Sequence, residues 1–211
     1  MRLLLPLAAV AALALAGCGI EDDGPPRTQT RDVGAFTRIA NEDSLDVRVH
    51  VGEQRRVVVH GGEDVIDDVG VEVRDGTLEI SFDHHGWGGN SASVDVSVPE
   101  LTAIAVGGSG DIEADGIVAD AFELASDGSA DITLAGSARQ LAVELEGSGD
   151  ADLAGLAVRE ADVRVSGSGD VEVRADDRLA ATVEGSGDLE YHGDPEVDEH
   201  VDGSGDLRRV S

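Results

Sequence analysis

A chain of 211 residues with 41% apolar side chains can fold as one ordinary domain or two small ones. With five aromatics among them, Val, Leu, Ile and Ala must fill nearly all of the core, which suits thin sheets laid close together. Forty-four acids against fifteen basic residues, all of them arginine, give a formal net charge of -29. A surface so acidic repels a polyanion and excludes nucleic acid as a partner; it serves solubility or recruits divalent cations.

The N-terminus "MRLLLPLAAVAALALAGCGI" carries one positive charge at Arg2, then apolar residues from Leu3 to Ala16, then small residues before a cysteine. The apolar run is short of the roughly 20 residues that cross a bilayer, so residues 1–17 read as a secretory signal peptide. Leu15-Ala16-Gly17-Cys18 resembles the bacterial lipobox, which implies that Cys18 is lipidated and becomes the first mature residue. The alternative is an ordinary signal peptide followed by an unmodified cysteine. Lipidation would consume the only cysteine, rule out a disulfide, and anchor the chain to a membrane without spanning it. Gly19, where lipoproteins held at the inner membrane often carry Asp, favours the outer membrane. Residues 18–31, with a Pro-Pro pair and little apolar content, are expected to form a flexible tether.

The domain proper is expected over 32–211. Its first part, 32–100, alternates apolar and polar residues in "LDVRVHV", "RVVVH", "VGVEVR", "TLEISF" and "ASVDVSV", the period-two pattern of half-buried strands. Only "EDVIDD" (63–68) suits a helical turn. This part is expected to form wider, less regular coils, or a small sheet capping the N-terminal end.

From 101 onward the chain repeats. Gly-Ser-Gly-Asp or its variant Gly-Ser-Ala-Asp begins at Gly108, Gly128, Gly147, Gly167, Gly185 and Gly203, every 18 to 20 residues. Beyond each aspartate, apolar residues occupy the first and third places: Ile112 and Ala114, Ile132 and Leu134, Ala151 and Leu153, Val171 and Val173, Leu189 and Tyr191. A second strand precedes each tetrapeptide, and a second bend falls near Gly116, Gly136, Gly155 and Gly193. The same inward positions at a constant period specify a parallel β-solenoid with about 18 to 20 residues per coil. The tetrapeptide is then a corner, its glycines expected to supply φ > 0 and its Ser and Asp side chains to accept backbone N–H bonds. Arg208 and Arg209 place charge on the final strand as a guard against end-to-end stacking.

Several segments, "AFTRI" (35–39), "VRDGTLEI" (73–80), "VSVPELTAIAVGGSGDI" (96–112) and the closing "GSGDLRRV", resemble the family called putative auto-transporter adhesin, head GIN domain, over roughly 33–210. The resemblance implies a right-handed parallel β-helix on a bacterial envelope lipoprotein. It brings no catalytic residues.

The aspartates Asp111, Asp131, Asp150, Asp170, Asp188 and Asp206 are expected to stack one rung apart. At about 4.8 Å two unit charges repel by about 0.9 kcal/mol in water and about 3.5 kcal/mol at an effective dielectric of 20. Turn N–H groups could offset that, as could Ca²⁺ coordinated by carboxylates and turn carbonyls. Calcium β-rolls, however, use Gly-Gly-x-Gly-x-Asp twice per coil, a different spacing. The loop "FDHHGWGGNSAS" offers His84, His85 and Trp87 as a partner contact or metal site, or simply a solvated loop. Uniform coils leave no cleft, and no nucleophile elbow, phosphate-binding loop or Cys-His pair is present, so no enzyme is expected. The sequence points to a non-catalytic scaffold for adhesion or envelope organisation, in contact with an envelope protein or polysaccharide. A divalent-cation module and a degenerate carbohydrate-active β-helix are the alternatives.

Overall fold

The alternation after each Gly-Ser-Gly-Asp turn builds one bent strand per coil. In a computed structural model, which describes residues 24–83 and 92–210, these are β9 (Ile112–Ser126), β10 (Ile132–Leu145), β11 (Ala151–Val165) and β12 (Val171–Gly185). Each stacks in parallel on the one before, with Ile112 over Ile132, Ile132 over Ala151 and Ala151 over Val171. The register advances 17 to 20 residues per rung, close to the 18 to 20 of the sequence period. In β9, β10 and β11 the bend between the two arms falls near the expected Gly116, Gly136 and Gly155, with φ of 73° and 141° at the first two. Strand β12 bends without a glycine, and Gly193, at φ 99°, turns the last coil between β13 (Leu189–His192) and β14 (Glu196–Gly203).

Two ladders result. The first contains the arms after the turns and continues through β13 (Leu189–His192) to β15 (Leu207–Arg209); the second contains the arms before the turns and ends at β14 (Glu196–Gly203). Their inward residues form a single core of Val, Leu, Ile and Ala, with Phe122 among its largest fully buried members. Each such residue contributes about 1.5–3 kcal/mol when removed from water.

The N-terminal part belongs to the same stack, but out of chain order. Strands β2 (Arg38–Asn41) and β3 (Asp46–Val51) form one rung, and β6 (Thr77–Phe82) and β7 (Ser93–Val98) form another. Strand β8 (Ala103–Val106) pairs with β2 on one side and β9 on the other, while β3 lies between β7 and β9. The first rung made by the chain is therefore the second in the stack. Antiparallel strands close this end: β4 (Arg56–Gly62) against β7, β1 (Pro26–Arg31) against β4, and β5 (Val69–Arg74) against β6. Residues 32–100 thus supply both rungs of the stack and strands that cap it. The short 3-10 turn Ile66–Asp68 lies within the segment expected to be helical and buries Ile66.

Residues 26–31 correct the expected tether. They are strand β1, held by six register pairs to β4, with Arg27 bonded to Glu63 at 2.6 Å and Arg31 donating to the Ile66 carbonyl at 3.0 Å. Alternation of Thr28, Gln29, Thr30 and Arg31 is too polar to signal a strand; the open edge of β4 recruits it. Among the described residues, the strands from Pro26 to Arg209 all join one connected sheet, so the chain from Gly24 onward carries every described strand of the stack and its cap.

The turn glycines also correct an expectation. Among the first glycines of the six turns, only Gly185 and Gly203 have positive φ, 152° and 148°. The general requirement is space. A Cβ on Gly128, Gly147 or Gly167 would lie 1.9, 1.7 or 1.9 Å from the carbonyl oxygen of the corresponding glycine one rung earlier. That oxygen accepts the N–H of the following serine, as in Ser148 to Gly128 at 3.0 Å. Gly147→Ala is therefore expected to push two rungs apart and to cost about 2–4 kcal/mol, against under 1 kcal/mol for Ala130→Gly. Urea unfolding followed by circular dichroism measures both.

Candidate functional site

The turns stack into one continuous edge. Each turn is joined to its neighbour by three kinds of hydrogen bond. The serine N–H donates to the preceding glycine carbonyl, and the residue after the aspartate donates to the aspartate carbonyl of the next rung, as Ile132 does to Asp150 at 2.8 Å. The third kind uses a side chain. Asp131 N–H donates to Asp111 Oδ1 at 3.0 Å, Asp150 to Asp131 at 3.2 Å, Asp170 to Asp150 at 2.8 Å, Asp188 to Asp170 at 2.7 Å and Asp206 to Asp188 at 2.9 Å. The carboxylates do serve as acceptors for the turns, but their donors are the N–H groups of the aspartates one rung on, not those of glycine or serine.

The ladder has a member that sequence inspection missed. Asp111 N–H donates to Asp46 Oδ1 at 3.1 Å, and Val47 N–H to the Asp111 carbonyl at 2.8 Å. Residues 43–46, Asp-Ser-Leu-Asp, thus occupy the place of a Gly-Ser-Gly-Asp turn, with Leu45 fully buried at the second glycine's position. Without glycines the motif is invisible, although Ser and Asp keep their spacing. Seven aspartates therefore line the edge, and no turn from 42–46 to 202–206 contains an arginine. Further carboxylates precede the first glycine at Asp127, Glu146, Glu184 and Asp202; Ser166 shows that this place accepts a neutral residue.

Beside the edge, on the outer face of the second ladder, lies a shallow trough. Ala40, Ala105 and Ala125 form its floor, and Glu42, Asp127, Glu144 and Glu146 stand around it. Such a surface is open along its length and suits an extended chain more than an enclosed small molecule.

The outer face of the first ladder carries three histidine–carboxylate pairs across neighbouring strands: His50 with Asp115 at 2.8 Å, His60 with Asp95 at 2.9 Å and His192 with Glu172 at 2.5 Å. Thr28 Oγ1 lies 3.3 Å from the other nitrogen of His60. The order hydroxyl, imidazole, carboxylate is that of an acyl-transfer triad. Among the described residues it sits on a sheet face where the His60 and Asp95 side chains are 40% and 41% exposed, short of the water exclusion that such chemistry needs. His50 and His60 alternate with the buried Val49 and Val59 on β3 and β4, so both face outward, and their pairing follows from a register that local sequence does not show.

Among the described residues, no three His, Cys, Asp or Glu side chains come together in a way that could hold a metal ion. One oxygen of each ladder carboxylate from Asp46 to Asp188 is already committed to a backbone N–H. Cys18, His84, His85 and Trp87 lie outside the described residues.

Residues 35–195 match the family described as putative auto-transporter adhesin, head GIN domain. The chain is a member of that family. A putative adhesin from Bacteroides fragilis has a crystal structure similar to this fold, with a TM-score of 0.72 at 20% identity, covering 88% of this chain and 97% of that one. A putative adhesin from Parabacteroides distasonis gives 0.60 at 24% identity, covering 89% and 98%. A putative lipid binding protein from the same organism gives 0.58 at 22% identity, with the same coverages. At these identities the likeness to the three structures is one of fold. No curated protein matches the sequence. The head GIN family is adhesin-like, as is the solenoid fold it shares with these structures, and an adhesin belongs at the cell surface or envelope.

If the ladder aspartates serve as backbone acceptors, charge is dispensable and the oxygen is not. Asp170→Asn, which keeps an acceptor and removes a repelling charge, is expected to leave the unfolding midpoint unchanged or raise it. Asp170→Ala leaves the Asp188 N–H without its acceptor and is expected to cost about 1–2 kcal/mol. Thermal unfolding by circular dichroism distinguishes them. The same measurement in millimolar Ca²⁺ and in EDTA at matched ionic strength is expected to give one midpoint; a saturable rise specific to Ca²⁺ would make the ladder a cation site.

Proposed function

We propose that the protein is a non-catalytic lipoprotein of the bacterial cell envelope, anchored through Cys18, in the outer membrane where the cell has one. Its solenoid displays the Gly-Ser-Gly-Asp edge for adhesion or envelope scaffolding. The observation that carries this proposal is the edge itself, seven stacked turns that all end in aspartate and contain no arginine, in a chain of an adhesin-like family. The partner is an envelope protein or polysaccharide that brings cationic groups to a rigid row of carboxylates. From Cys18 to Pro26 the chain takes eight Cα–Cα steps across seven intervening residues and reaches at most about 28 Å, so the anchor holds the capped end of the stack near the lipid and leaves the turn edge standing beside it. The acidity of the stack, facing anionic lipid, keeps it from lying flat.

The test uses the serine tolerance seen at Ser166. Glu146, Glu184 and Asp202 are changed together to Ser, which removes edge charge and leaves the aspartate ladder intact. Binding of the labelled domain to isolated cell envelopes, treated with protease or with periodate to separate protein from polysaccharide, is expected to weaken roughly tenfold at low salt with the unfolding midpoint retained. Undiminished binding by a folded triple variant would remove the edge from the function.

A further inference from the structure

The two ends of the stack are finished differently. Three antiparallel strands and the Ile66 turn close the N-terminal end. At the other end, among the described residues, β14 pairs only with β12 and β15 only with β13, so the rung they form has an edge on each ladder that no described strand covers. Its inward positions follow from register. Val201 lies over Val183 and Leu207 over Leu189, the apolar pair nearest the final turn, while Glu199 lies over Ala181 and Arg209 over Tyr191, the next pair out. Val201 is 43% exposed, one of two large apolar side chains so exposed among the described residues. Of the arginines expected to guard this edge, Arg208 pairs with Glu190, while Arg209 meets Asp194 at 3.0 Å only in an exposed pair, weak enough to be exchanged for a partner's carboxylate.

We infer that this end is a docking surface for the same end of a second copy. Two-fold arrangements that bring the ends together pair the strands in one of two ways. A two-fold axis across the ladders sets β14 against β14 and β15 against β15, opposing "EVDEHVDG" to itself and "LRR" to itself. An axis along the strands sets each β15 antiparallel to the partner's β14, basic against acidic, twice. In the second arrangement, inward positions of the same order from the turn meet. Val201 then faces a Leu207, and Glu199 faces an Arg209, so the apolar residues and the inward charges are matched by the same operation. The contact is isologous and closed, so it ends at two copies rather than growing into a fibre.

The consequence for adhesion rests on the anchoring proposed above. Ten strands in the first ladder make a stack about 43 Å long, with the lipid-proximal end opposite the docking end. Two copies joined by these ends carry their anchors on opposite sides, which bridges two facing membranes and cannot form between neighbours held on short tethers in one membrane.

Sedimentation equilibrium on the chain from Gly24 onward, from micromolar to millimolar at 0.15 M salt, tests the contact. Expected is a monomer–dimer equilibrium. Glu199→Arg and Arg209→Glu should each weaken it roughly tenfold or more, and the double exchange should restore it. Unfolding midpoints check that each variant folds, and Glu199→Gln provides a milder version of the same loss. A monomer at all concentrations, assembly beyond two copies, or single variants that associate like the parent would overturn the inference. Because no anchor is present, failure here leaves the envelope proposal standing, and failure of Cys18 to hold the chain on a membrane leaves the dimer standing.

Discussion

The architecture depends on how closely one turn approaches the next. At the first glycine of each tetrapeptide, the neighbouring rung's carbonyl oxygen occupies the space that a Cβ would need. The same oxygen receives the serine N–H, so steric exclusion and hydrogen bonding act at one point. A rung that could not approach so closely would lose that bond and also the Asp-to-Asp bond beside it. The constraint therefore fixes the spacing on which inward Val, Leu and Ile pack, and a core with almost no aromatics needs spacing that regular to stay free of voids.

The aspartate column resolves a conflict between geometry and charge. Stacked turns place like charges one rung apart, which is unfavourable in water and more so at any lower dielectric. The backbone answers with a directed N–H for each carboxylate from Asp46 to Asp188, and the other oxygen is left toward solvent. Repulsion is reduced locally while the net charge of the edge survives. A calcium roll solves the same conflict with an ion. Here the acceptors are already used in part, and the edge remains available to whatever cation a partner brings.

Legibility followed periodicity. Wherever Gly-Ser-Gly-Asp recurs, the sequence specified strand, face, bend and stacking partner, because the physical repeat and the sequence repeat coincide. It failed where the chain departs from that order. Strands β2 and β3 look like any alternating pair, and nothing local shows that they insert between rungs made later. Asp43-Ser44-Leu45-Asp46 performs the turn without its glycines. Pro26–Arg31 is too polar to announce itself, and becomes a strand because β4 has an edge to fill. The function of the glycines was misattributed for a related reason: a positive φ is a property of one residue, whereas exclusion of a Cβ depends on a neighbour 18 to 20 residues away. The histidine–carboxylate pairs likewise exist only across strands.

The contrast between the two ends carries the argument furthest. Parallel solenoids cannot terminate without leaving a rung unpaired, and this chain spends β1, β4, β5 and the Ile66 turn on one end alone. The C-terminal rung is instead short, exposed on β14, and charged at two inward positions where every earlier rung is apolar or small. Charges directed inward are a familiar means of preventing edge-to-edge growth. On this rung they are opposite in sign and both occupy the second inward position from the turn, so a further parallel rung would leave each of them unpaired, whereas the two-fold along the strands matches Glu199 to Arg209. A single pair of residues can thus forbid a fibre and permit a dimer.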